Sequence, residues 1–270
     1  MTLVALLALA AACSSVSQSE RDLLLEGHVS FLAPQPETAS QSRSSLVLLL
    51  PGCGGLVGSD GPKDVMNGYA KAAVEAGAHV AIIDSHGARG IGYDQAVTRV
   101  CSGLTLRGRQ RAGDLVSAKI LAERHWQQDF DHVVVAGWSH GGWAVMEQLS
   151  LDAKSETQHL DPDAVMLIYP YCGFFNQADR TDWSFTGPLV HISAENDGLS
   201  RTVKCREIIV KARQGDDRFR TIELEGVTHA FDESDHLPSS RYVYDLDMAQ
   251  YMHDIFGQFI EAVTDDASAS

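Results

Sequence analysis

The stretch Val133-Val134-Val135-Ala136-Gly137-Trp138-Ser139-His140-Gly141 decides how this chain folds. Four apolar residues in a row read as a strand buried on both faces, and the G-x-S-x-G behind them reads as a turn tight enough to send the chain straight into a helix. Glycines at 137 and 141 leave room where a side chain would clash, so Ser139 sits at the apex with its hydroxyl lifted off the sheet edge. The His140 N–H, at the start of the following helix, points to where negative charge would develop on a carbonyl oxygen.

Outward from that turn the same pattern recurs. Ser45 to Leu50 runs into Pro51-Gly52-Cys53-Gly54-Gly55, and His79 to Ile83 runs into Asp84-Ser85-His86-Gly87. Between them Pro62 predicts a helix start, Val65, Met66, Tyr69 and Ala73 one apolar face, and Gly77 a stop. Further helices are expected over Arg107 to Arg124 and from Gly142, and further strands over Ala164 to Tyr169, Pro188 to Ser193 and Arg220 to Leu224. A last helix puts Met248, Met252, Ile255, Phe256, Phe259 and Ile260 on one stripe. Strands alternating with helices predict one α/β domain over residues 21–265, a mostly parallel doubly wound sheet with helices on both faces. The connection from Tyr169 to Pro188 is too short for a large lid.

With 270 residues, 44% of them apolar, the chain is long enough for one large core. A formal charge of −15 repels phosphate backbones, and no basic patch interleaved with aromatics offsets it, so nucleic-acid binding is not expected. Residues 1–20 read separately, as a signal or lipoprotein-like segment and a connector. Leu3 to Ala12 is apolar but too short to cross a bilayer, and Ala10-Ala11-Ala12 before Cys13 resembles a lipobox. Cys13 is therefore the candidate for lipidation and membrane attachment. No Lys or Arg precedes the run and Leu9 stands one position further from the cysteine than a lipobox leucine does, so a plain secretory signal or a mis-assigned start are the alternatives. The expected location is exported, periplasmic or membrane-anchored. Cys53, Cys101, Cys172 and Cys205 remain, an even number that an oxidising compartment would allow to pair in three ways; four buried thiols are the alternative.

A serine hydroxyl becomes a nucleophile when a base takes its proton, and the base needs an acid to fix its tautomer. Past the strand Pro188 to Ser193 stands Glu195-Asn196-Asp197-Gly198, and past the strand Arg220 to Leu224 stands Gly226-Val227-Thr228-His229. Ser139, Asp197 and His229 follow the chain order of α/β-hydrolases, each beyond the C-terminal end of a strand, where open α/β sheets bind ligands. His236 is the rival base, His86 and His140 are candidate pocket residues, and Glu195 is the rival acid. The glycine-rich loop after Leu50 supplies the second oxyanion donor, the Cys53 N–H, to act with the His140 N–H. A dinucleotide-binding reading of Gly52-Cys53-Gly54 fails on the third glycine, at 58 instead of 57, and leaves the three catalytic candidates unexplained. No H-E-x-x-H or clustered Cys/His spacing appears, so no metal and no cofactor are expected.

These segments together resemble the dienelactone hydrolase family of α/β-hydrolases, in its exported serine-containing branch, from about Leu46 to Phe259. Pro51-Gly52-Cys53-Gly54-Gly55 looks like that branch's H-G-C-G-G, Asp84-Ser85-His86-Gly87-Ala88-Arg89-Gly90 like its D-S-F-x-x-R-G, Tyr169-Pro170-Tyr171-Cys172-Gly173 like its Y-P-x-C-G, and His229-Ala230-Phe231-Asp232 matches its H-A-F-D. The resemblance implies an α/β-hydrolase fold, Asp197 over Glu195 as the acid, and Cys53 with Cys101 and Cys172 with Cys205 as bridges. Pro51 stands where the family has histidine and Ser139 where the name-giving enzymes have cysteine, which turns the expectation away from dienelactone itself. Arg89, as a carboxylate clamp, and Trp138 are the candidate substrate contacts; a structural ion pair is the alternative for the arginine. The reaction expected is cleavage of a small-molecule ester, with lactone a further possibility, through an acyl-enzyme on Ser139. A peptidase of the same fold and a non-catalytic binding module are the alternatives.

Overall fold

The two sides of one strand explain why Leu46 to Leu50 is apolar without interruption. Leu46, Leu48 and Leu50 belong to one buried cluster and Val47 and Leu49 to another, on the opposite face of the sheet. A computed structural model describes residues 17–35, 44–152, 155, 157–235 and 240–266. Its elements run α1 (Gln18–Leu25), β1 (Val29–Leu32), β2 (Ser45–Leu50), the short ribbon β3 (Val57–Gly58) and β4 (Gly61–Pro62), α2 (Val65–Glu75), β5 (His79–Ile83), α3 (Tyr93–Gln95), α4 (Gly108–Trp126), β6 (His132–Trp138), α5 (His140–Leu149), β7 (Ala164–Ile168), β8 (Leu189–Asn196), α6 (Thr202–Ala212), β9 (Phe219–Thr228) and α7 (Leu246–Asp266). Seven strands form one sheet in the order β1-β5-β2-β6-β7-β8-β9, parallel throughout except for β1. Residues of α1, α4, α5 and α6 pack on one face, and α2 and α7 on the other.

Three local expectations need correction. Pro62 does not open a helix; it closes the β3–β4 ribbon, and α2 begins at Val65 behind Asp64. The helix after Ser139 begins at His140, two residues before the expected start, because Ser139 itself makes the turn. The folded body also begins ahead of residue 21. Ser17 caps α1 by accepting from the Glu20 N–H, and the Gln18 side-chain amide donates to Ser117 Oγ at 2.7 Å on α4. Arg21 and Asp22 are buried there, Arg21 donating to the Gln110 carbonyl and to Asp114 Oδ1 at 3.2 Å. The apolar run Leu3 to Ala12 and Cys13 lie outside the described residues.

Asp114, without solvent exposure, is held from two sides by Arg21 and Arg89. Removing one member of such a cluster leaves buried charge without its partner. Asp114→Ala is therefore expected to lower the free energy of unfolding by about 3–5 kcal/mol, read from equilibrium urea denaturation.

Candidate active site

Ser139 is bound into a backbone conformation that an L residue rarely adopts, φ 49° and ψ −110°. Such strain costs on the order of 1–3 kcal/mol and persists where surrounding contacts over-determine it. Here its N–H donates to the Ile168 carbonyl at 2.9 Å, while its own carbonyl accepts from the N–H groups of Trp143 and Tyr171 at 3.0 and 2.9 Å. A Cβ at Gly137 would come within 2.8 Å of the Gly141 carbonyl carbon, and one at Gly141 would overlap the Leu50 carbonyl oxygen. Both flanking glycines are thus places where backbone meets backbone.

Ser139 Oγ lies 2.8 Å from His229 Nε2, and His229 Nδ1 lies 2.7 Å from Asp197 Oδ2. With Asp197 ionised, Nδ1 carries the ring proton and Nε2 is free to accept from the serine hydroxyl. Asp197 comes from the loop after β8 and His229 from the turn that ends β9. Burial alone would push the Asp197 carboxyl up. The hydrogen bond and charge of His229, with hydrogen bonds from Ser200, outweigh it and hold the group below the usual carboxylate range. Its other oxygen accepts the Leu199 and Ser200 N–H groups, both at 2.8 Å. Glu195, the rival acid, is exposed and accepts the Gly226 N–H at 2.8 Å. His236, the rival base, lies outside the described residues.

Cys53 and Ser139 line the same pocket of about 360 Å³, and His140 is the first residue of α5, where backbone N–H groups have no partner within the helix. His86, packed beneath Gly55, bonds the Cys53 carbonyl through Nε2 at 3.0 Å. Burial, and next the charge of Arg111, bring His86 down to about 3, so it is neutral and donates this bond. Two disulfides brace the site. Cys53–Cys101 ties the glycine-rich loop to the helical stretch that follows α3, and Cys172–Cys205 ties the segment after β7 to α6, next to the acid-bearing loop. They are consistent with export; among the described residues, no helix is long and apolar enough to cross a membrane.

Two predicted substrate contacts do not face the pocket. Arg89 grips Asp114 with two hydrogen bonds of 2.8 and 2.9 Å and donates to the Ser85 carbonyl, which makes it a structural ion pair. Trp138 is buried among Tyr69 and Phe256 because the strand's alternation turns it under the sheet, where its indole N–H donates to Asp232 at 3.2 Å.

Asp232 is itself a residue whose role sequence reasoning missed. It also receives the hydroxyls of Tyr69, at 2.5 Å, and Tyr169, whose ring packs on His229. Burial pushes its carboxyl up, against these hydrogen bonds. Its place in the H-A-F-D segment was the available signal. Lys63 and Glu233 were missed too, with no motif to mark them. They form a 2.8 Å ion pair in the pocket wall. Burial alone would push the Lys63 ammonium down, but Glu233 raises it above its ordinary value.

The sequence matches no protein-family model and no curated protein. Solved structures do match. An alpha-beta serine hydrolase homologue from Coxiella burnetii aligns over 86% of this chain and 90% of its own, with a TM-score of 0.56 at 18% identity. Thermogutta terrifontis esterase 2, phosphoramylated by tabun, aligns over 87% and 89%, with a TM-score of 0.58 at 15% identity. The fold is that of the α/β-hydrolases. A Thermoplasma acidophilum protein described as a predicted CIB-like hydrolase aligns less closely, with a TM-score of 0.50 at 12% identity over 83% and 89%. Placing Ser139 at the apex between β6 and α5 gives this α/β-hydrolase fold its sharp strand-to-helix turn.

The strain at that apex is measurable. Ser139→Gly removes the Cβ that opposes the positive φ and is expected to raise the free energy of unfolding by about 1 kcal/mol while deleting the hydroxyl, read as a higher urea midpoint at unchanged m-value.

Proposed function

We propose that this chain is a serine hydrolase that cleaves carboxylic esters through an acyl-enzyme on Ser139. The observation that carries the proposal is the unbroken line from Ser139 Oγ through His229 to Asp197, with contacts of 2.8 and 2.7 Å. Ser139 Oγ attacks the ester carbonyl while its proton passes to His229 Nε2, and Asp197 supports the imidazolium. The Cys53 and His140 N–H groups hold the oxyanion of the tetrahedral intermediate. As that intermediate collapses, His229 returns the proton to the departing alkoxide, leaving the acyl group on Ser139. Water, deprotonated by the same histidine, then frees the acid.

Val97, Leu199 and Ala230 give the pocket apolar wall, and its lysine is already paired with Glu233. This favours small neutral esters. The resemblance to dienelactone hydrolases keeps lactones within the proposed range, and because Arg89 is engaged by Asp114 the reading does not give it a substrate carboxylate. We place the enzyme outside the cytoplasm, lipidated on Cys13. Incorporation of labelled palmitate by expressing cells, lost in Cys13→Ser, is the expected outcome; equal labelling of the variant refutes the anchor.

Ser139→Ala is expected to abolish turnover of p-nitrophenyl acetate and labelling by a fluorophosphonate probe. Asp197→Asn should lower kcat by about 10⁴-fold, since the ring then loses its fixed tautomer. Full turnover in Ser139→Ala overturns the proposal, as does hydrolysis of peptides in preference to every ester in a matched panel.

A further inference from the structure

Behind both arms of the oxyanion site lies a single guanidinium. Arg111, in the first turn of α4, has no solvent exposure. Its Nη2 donates to the Pro51 carbonyl at 2.9 Å, two residues before Cys53. Its Nη1 bonds His140 Nδ1 at 3.1 Å. Arginine only donates, so Nδ1 must be the bare nitrogen and His140 a neutral ring with its proton on Nε2. Burial, and next the charge of Arg111, hold His140 well below the ordinary histidine range, in agreement with that assignment.

The charge of Arg111 is not cancelled at close range. Asp114, three residues along α4, is occupied by Arg89 and Arg21, and Arg111 forms none of the ion pairs found among the described residues. Burial lowers the guanidinium to about 10, the more distant Asp114 charge opposing this, so it remains a cation at neutral pH. Its Nε finds no protein acceptor. A buried cation without its own carboxylate is costly, and a neutral side chain with two donors would tie Pro51 to His140 at less cost. The position therefore has a use for the charge itself.

We infer that Arg111 is a positioning residue for the oxyanion hole: it fixes the Pro51 carbonyl and the His140 ring so that the Cys53 and His140 N–H groups converge, and sets a positive charge behind them. This rests on the hydrolase reading above. The consequence is selective for the tetrahedral state, because the ester's neutral carbonyl gains little from a distant cation and the oxyanion gains much.

The test compares wild type, Arg111→Lys and Arg111→Met on p-nitrophenyl acetate, together with inhibition by an alkyl trifluoromethyl ketone. Ser139 Oγ adds to that ketone's carbonyl carbon, its proton moves to His229, and the carbonyl π pair becomes the oxyanion of a hemiketal. Arg111→Met is expected to lose about 10–100-fold in kcat with KM held within about threefold, Arg111→Lys to fall between, and the ketone to weaken in step with kcat/KM. A merely structural role would not couple ketone affinity to rate. Should Arg111→Met fail to fold, Arg111→Lys decides by the same constants. Variants that fold and keep wild-type kcat and ketone affinity, while wild type is active and labelled by fluorophosphonate, overturn this inference alone; a wild type that neither turns over nor is labelled removes the hydrolase reading and this inference with it.

Discussion

Everything at the rim that carries Ser139 depends on a contact between two pieces of backbone. The parallel neighbours β2 and β6 stay in register to their ends, Leu50 opposite Gly137, so the loops leaving them start at the same level. Gly141 then lies directly on the Leu50 carbonyl, with Pro51 beside it, and no side chain fits between. That closeness brings the Ser139 turn and the glycine-rich loop together as one unit. It also explains why strain at Ser139 survives: the residue's N–H and carbonyl are both bound, to β7 and to the segments on either side, so relaxing φ would break three hydrogen bonds of roughly 1 kcal/mol each.

How much of this is legible in the sequence depends on whether a residue's neighbours are local or distant. The ranges of β2 and β5 match the expected runs residue for residue, because a strand covered on both faces is apolar at every position after its first residue here and its turn residues mark the end. The stripe on α7 is equally plain: Met252, Phe256 and Ile260 are fully buried. Strand β1 carries no such signal. It is four residues long, half-buried in alternation and antiparallel at the sheet edge, and neither length nor pattern separates it from a loop. Ser139, Asp197 and His229 were readable since chain order and strand ends constrain them, and the structure brings the three together.

The side chains that support them were not readable in this way. Arg89 lies in a segment that resembles a substrate clamp, yet Asp114, on α4, sets its role, and nothing near residue 89 announces that carboxylate. Trp138 sits inside the G-x-S-x-G pentapeptide but on the inward side of the strand, where Asp232 and Tyr69 receive it. Arg111 is one of three arginines between 107 and 111, with Arg107 and Arg109, and of the three it alone is buried. Composition cannot single it out. Its meaning comes from two partners about thirty and sixty residues away, in sequence separations that no local pattern spans.

Taken together, the buried charges form a pattern suited to one event. When a serine hydroxyl attacks a carbonyl, negative charge appears on the substrate oxygen and positive charge on the histidine, a few ångströms apart. The protein has placed a cation, Arg111, behind the loops that would face the first, and an anion, Asp197, against the second. Both side chains are withdrawn from water, where screening would weaken them, and both are fixed by hydrogen bonds. An arrangement meant only to stabilise the fold would set these opposite charges next to each other. Here they have separate partners, Arg111 the Pro51 carbonyl and the His140 ring, Asp197 the His229 ring. Burying Arg111 without a carboxylate of its own costs the resting protein stability, and the hydrolase reading proposed above gives that cost a use, in lowering the energy of the charge-separated state.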